Sequence, residues 1–153
     1  MTRRQSQLRA LVAAVTASDG DVRWIDTASD PQAVEDLTEV IANLLRDFEP
    51  DGVACWVGDN DAVLVHSIAR RLGVSVARTK EDMGLLTMEP KFAEESRSVV
   101  MFASSWNGRN SAAAIYAMLT NYGKEIGAVV ALLPGDPKPE SIPDDVPYLV
   151  LAE

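Results

Sequence analysis

Three stretches of the chain, Val53 to Val57, Val99 to Phe102 and Ile126 to Leu133, are apolar almost without a break, whereas the segments between them carry apolar residues on one helical stripe only. Unbroken apolar runs of this length suit strands buried on both faces, the condition of a parallel sheet. Parallel neighbours need crossovers, and the helical stripes supply them. Leu8, Leu11, Val12 and Val15 mark a first helix, stopped by Asp19-Gly20-Asp21. After a short extended piece, Val22 to Asp26, the pair Asp30-Pro31 reads as N-cap and first-turn proline. Val34, Leu37, Ile41, Leu44, Leu45 and Phe48 then form one stripe that ends at Glu49-Pro50-Asp51-Gly52. Leu64, Val65, Ile68 and Leu72 define a third helix with Gly73 as its C-cap, and Ala112, Ile115, Tyr116 and Leu119 a fourth, ended by Tyr122-Gly123.

Val74 to Arg78 and Tyr148 to Leu151 read as further strands. Thr79 to Ser98 is polar, carries Gly84 and Pro90 and has no strong period, so a mobile loop is expected there. Five of the eight prolines lie between Pro134 and Pro147, which excludes a helix or a central strand. The expectation is a single α/β domain over residues 1–153, three-layered, with a central, mostly parallel sheet and helices on both faces. In such sheets the ligand crevice lies off the carboxyl ends of the strands. Two loops are placed to form it: Gly58-Asp59-Asn60-Asp61, read as a turn, and Ala103 to Ser111.

Composition narrows the partners. A net charge of −9 disfavours nucleic acid and anionic membrane surfaces at long range. No apolar run reaches the roughly 20 residues of a membrane-spanning helix. Cys55 is the only cysteine, so no intramolecular disulfide forms, which fits a reducing cytoplasm. Its apolar surroundings make it a buried, inert thiol rather than a nucleophile. Cys55 and His66 alone do not make a structural zinc site, and His66 reads as structural.

The stretch from Val99 to Ser111 is a strand, a small polar loop and a helix start, a layout that cradles phosphate. Ser104, Ser105, Asn107, Asn110 and Ser111 supply side-chain donors around Gly108, and Arg109 adds charge near a helix N-terminus. The same residues also read as a capped helix start, with Asn107 or Asn110 as N-cap and a surface arginine. This stretch resembles the ribose-5-phosphate loop of the type I phosphoribosyltransferases. Trp24-Ile25-Asp26, Val57-Gly58, the segment Arg78-Thr79-Lys80-Glu81-Asp82-Met83-Gly84 and the strand Ile126 to Leu133 follow in the order of that family. The resemblance is greatest to its orotate branch, where the Arg78 to Gly84 segment would open a flexible catalytic loop.

That resemblance implies the family's fold, a homodimer and a small phosphorylated ligand, a nucleotide or sugar phosphate. It also sharpens what is missing. Where the family signature has two adjacent acids, this chain has Ala103 and Ser104, and Asn107, Gly108 and Arg109 replace a Thr-Thr-Gly turn. Family carboxylates there grip the ribose hydroxyls. A charge-assisted hydrogen bond contributes about 1.5–3 kcal/mol against about 0.5–1.5 for a neutral one, and each 1.36 kcal/mol in a barrier is about tenfold in rate. The resemblance therefore implies a degenerate site with no catalytic residues and no cofactor, in a protein that binds a phosphorylated ligand or a protein partner.

The alternative is a divergent transferase or nucleotide-processing enzyme in which Asp59, Asp61, Glu81 and Asp82 stand in for the lost acids, with magnesium bridging Asp59 and Asp61. The same two aspartates also read as solvated acids favouring a helix N-terminus. Gly58, Asp59, Asn60, Arg78, Lys80 and Trp106 complete the candidate pocket, although Arg78 and Lys80 also read as solvated. Trp106 could stack on a nucleobase, but a dimer contact accords better with the family's habit of dimerising. A pure interaction module, its pocket filled by side chains, is the third class.

Overall fold

The computed structural model describes residues 1–90, 92 and 94–152. Helix α1 (Arg3–Val15) starts with a capping box between Thr2 and Gln5. It leads into a two-stranded antiparallel hairpin, β1 (Thr16–Asp19) and β2 (Val22–Ile25). The turn Asp19-Gly20-Asp21, expected to end the helix, instead closes this hairpin; the helix has already stopped at Val15. Helix α2 (Pro31–Leu45) begins as expected, with Asp30 accepting from the Ala33 N–H and Pro31 in the first turn. A 3-10 turn at Arg46–Phe48 follows.

Strand β3 (Gly52–Trp56) is buried along its whole length. Helix α3 (Asp59–Leu72), β4 (Ser75–Asp82), β5 (Leu85–Glu89), β6 (Ser98–Ala103), α4 (Ala112–Asn121), β7 (Glu125–Ala131) and β8 (Tyr148–Val150) complete the chain. The main sheet has the order β5-β4-β3-β6-β7-β8, and every pairing is parallel except β4 with β5.

The parity of each strand sorts its side chains into two cores. Val53, Cys55, Val100, Phe102, Ala128 and Val130 face α1, α2 and α3. Their neighbours Ala54, Trp56, Val99, Met101, Val129 and Ala131 face α4. The architecture is therefore α/β with a six-stranded, mostly parallel sheet covered by helices on both faces.

One expectation is overturned. The stretch from Thr79 onwards is not an open loop: β4 runs on to Asp82, turns at Met83-Gly84 and returns as β5. Met83 and Gly84 both adopt positive φ, the conformation a tight reversal needs. Arg78 to Asp82 is polar without a break, because the far end of β4 and most of the edge strand β5 are exposed. Lys91 and Ala93, in the same stretch, lie outside the described residues.

Candidate functional site

The strand order reverses direction between β3 and β6, and a crevice of about 270 Å³ opens beyond their carboxyl ends. One wall is the first turn of α3. Gly58, expected within a turn, is the N-cap of that helix, so Asp59, Asn60 and Asp61 are helical. Gly58 has no side chain to cap the first amides, and acids in this turn complement the helix dipole. Asn60 is tied down: its Oδ1 accepts from the Thr27 N–H at 3.2 Å and the Thr27 hydroxyl at 2.8 Å, which locks the loop after β2 against α3.

Asp61 is the most consequential residue of the site. It is 7% exposed and meets the end of β6. Strand parity turns Ala103 towards the α4 core, so the next residue, Ser104, faces α3. There the Ser104 N–H lies 3.2 Å from each Asp61 carboxylate oxygen, and the Ser104 hydroxyl donates to Oδ1. Burial raises the Asp61 pKa above its ordinary value, and the Ser104 hydrogen bonds oppose that rise. A carboxylate has thus reached the end of β6 from α3, forty-three residues away in sequence. No local signal in the chain announces that pairing.

The loop after β6 is closed on itself. Ser105 Oγ donates to the Pro134 carbonyl at 3.1 Å. Asn107 Oδ1 accepts from the Arg109 and Asn110 amides at 3.0 and 3.1 Å. Ser111, rather than Asn107 or Asn110, is the N-cap of α4, accepting from the Ala114 N–H. Trp106 departs from both roles expected of it. It is 2% exposed, packed in the core on the α4 side, with its indole N–H donating to the Val130 carbonyl at 3.1 Å. Its side chain is buried within the fold rather than open to the surface, and it does not line the crevice.

Of the sequence candidates, Gly58, Asp59, Asn60, Ser104, Ser105, Asn107 and Asn110 line the crevice. Gly108, Arg109, Ser111, Arg78, Lys80 and Trp106 do not. Arg109 is exposed at the loop tip. Lys80 lies in the edge hairpin 3.9 Å from Glu89, with both side chains largely in water. Arg78, beside Cys55 in the sheet register, has a buried Nε. Sequence reasoning did not place Arg23, Trp24, Ile25, Val57 and Leu133 in the pocket, and they line it too.

Cys55 is fully buried, and its thiol is pushed up to about 12, first by burial and then by the negative charge of Asp61. His66 lies on the solvent face of α3. Among the described residues no three His, Cys, Asp or Glu side chains converge as metal ligands. Asp59 and Asp61 share the first turn of α3, and Asp61 is engaged by Ser104.

An α/β sheet with its crevice at the reversal of strand order is the layout of the doubly wound folds. The comparison with solved structures is more particular. Adenine phosphoribosyltransferase from Saccharomyces cerevisiae is similar over 95% of this chain and 99% of that one, with a TM-score of 0.70 at 12% identity. The Trypanosoma brucei adenine enzyme gives 0.69 at 12% identity over 99% and 80% of the two chains. Orotate phosphoribosyltransferase from Mycobacterium tuberculosis gives 0.61 at 15% identity over 88% and 78%. The chain has the phosphoribosyltransferase fold. No protein-family model and no curated sequence matches it.

Proposed function

We propose that this chain is a phosphoribosyltransferase-fold protein that holds a small phosphorylated ligand, a nucleotide or sugar phosphate, without transferring its ribosyl group. One observation carries the reading. At the end of β6, Ala103 offers no carboxylate and Ser104 is engaged with Asp61. The place from which two acids would grip a ribose is thus occupied by an internal bond. The open crevice beside it supports binding. The similar structures were solved with ligands of this class: inorganic phosphate in the M. tuberculosis enzyme, and AMP, pyrophosphate and ribose-5-phosphate in the T. brucei enzyme. Because adenine and orotate enzymes both appear among them, the proposal names no branch. It extends to a cytoplasmic homodimer, whose contact would use a surface other than Trp106.

A thermal-shift panel of AMP, UMP, ribose 5-phosphate and phosphoribosyl pyrophosphate tests this reading, since a ligand bound only by the folded state raises its apparent stability. Phosphorylated members should raise Tm in a concentration-dependent way. A flat response across the panel overturns the reading.

A specific observation also keeps a second reading in view. Asp61 supplies one carboxylate beside Ser104, and a divergent enzyme would use it. In that case base-dependent release of pyrophosphate would be measurable, and would vanish in Asp59→Asn and Asp61→Asn.

A further inference from the structure

Beside the crevice, and sharing Arg23 and Leu133 with it as lining residues, is a second groove of about 350 Å³ bounded by Arg9, Val12, Thr16 and Ala152. The first space alone falls below the roughly 300–1,000 Å³ of ordinary ligand pockets; taken with the second, it lies within that range. Charge is separated across the two spaces. Asp59 and Asp61 stand at the α3 end, and Arg9 and Arg23 at the hairpin end.

Neither Arg9 nor Arg23 has an ion pair or side-chain hydrogen-bond partner among the described residues. In a chain of net charge −9, two unpaired guanidinium groups beside one groove form a local cationic pole. An anion placed at the α3 end would face like charge at Asp59. Along the loop after β6 the Ser104 and Ser105 hydroxyls and the Asn107 side-chain amide already donate within the protein. Guanidinium groups offer forked, bidentate donors suited to phosphate.

We propose that the anionic group of the ligand is held by Arg9 and Arg23, with the hydroxyl or amino donors of its sugar or base facing Asp59 at the α3 end. The orientation rests on the reading that the crevice holds a small phosphorylated ligand. It moves the phosphate site from the β6 loop to the rim formed by α1 and the hairpin.

Calorimetric titration of the full chain with AMP, UMP and ribose 5-phosphate, each beside its dephosphorylated counterpart, tests it. Arg9→Ala, Arg23→Ala and Arg109→Ala change exposed side chains, and circular dichroism checks that each variant is folded. The wild type should favour a phosphorylated member over its neutral counterpart by about tenfold or more. Losing one charge-assisted contact should weaken that member about tenfold, so Arg9→Ala and Arg23→Ala should each do so while sparing the neutral counterpart. Arg109→Ala should bind as the wild type does. If Arg109→Ala weakens binding while Arg9→Ala and Arg23→Ala do not, or if the neutral counterparts bind equally well, this orientation is overturned and the crevice remains a binding site. If the wild type binds none of the phosphorylated probes, the underlying reading fails and the orientation falls with it.

Discussion

The loop after β6 and the rim formed by α1 and the β1–β2 hairpin face each other across one crevice, yet they treat polar groups in opposite ways. In the loop, serine, asparagine and tryptophan side chains close bonds inside the protein: Ser104 to Asp61, Ser105 to Pro134, Asn107 to the amides of Arg109 and Asn110, Trp106 to Val130. On the rim, Arg9 and Arg23 reach the groove with no protein partner among the described residues. A closed loop is a fixed wall, and an uncommitted rim is where a ligand can still gain hydrogen bonds. The loop that most resembles a phosphate site in sequence is therefore the less available of the two surfaces.

The largest effect should come from cutting the loop loose. Trp106→Ala removes a fully buried indole and should cost about 3–5 kcal/mol of stability in urea unfolding; a loss below about 1 kcal/mol would mean that the loop is not anchored through the core. Gly135→Ala should come next. A methyl group there would meet the Trp106 carbonyl and the Ser105 hydroxyl, an overpacking that costs about 1–3 kcal/mol. Unchanged stability in that variant would show that the loops after β6 and β7 are not in close contact.

Asp61→Asn should act through pH rather than through packing. Burial raises the Asp61 pKa in the folded chain, so between the unfolded and folded values the native state holds the extra proton. Stability from this group is present below the ordinary value of 3.8 and is lost as pH rises through the raised folded pKa. The wild-type Tm minus that of Asp61→Asn should therefore fall as pH increases from 4 to 8. A difference that grows with pH would reverse the account of this residue. The smallest effect belongs to the rim: Arg23→Ala should shift stability by no more than about 0.5 kcal/mol, as exposed substitutions do, while altering ligand binding. A larger loss would show that Arg23 is a structural group and would erase the contrast.

The buried parts of the fold were the most legible. Val53 to Trp56, Val99 to Phe102 and the strand from Ile126 are apolar because both of their faces are covered, so each announces a central strand. Asp30-Pro31 and Gly73 mark helix ends by local backbone chemistry. The β4–β5 hairpin was not legible, because an edge pair with one wet flank has no continuous apolar run and its reversal at Met83-Gly84 looks like loop. For the site, the crevice position followed from the strand order. The fate of its side chains did not. Asp61 and Ser104 meet only because strand parity aims Ser104 at the first turn of α3. Trp106 turns inward because the loop after β7 crosses beside it, with the Asp136 N–H bonded to the Trp106 carbonyl. Both depend on contacts far apart in sequence. Arg9 and Arg23 carry no motif, and only folding brings α1 and the hairpin to the same groove.

The proposed function is to hold a phosphoribosyl compound without transforming it. A single calorimetric titration with phosphoribosyl pyrophosphate, in the presence of magnesium and either adenine or orotate, reads binding and turnover together. Binding without turnover gives injection heats that saturate and a baseline that returns to its starting power after each addition. A sustained shift in power that depends on the base and on protein concentration would be catalysis, and would contradict it.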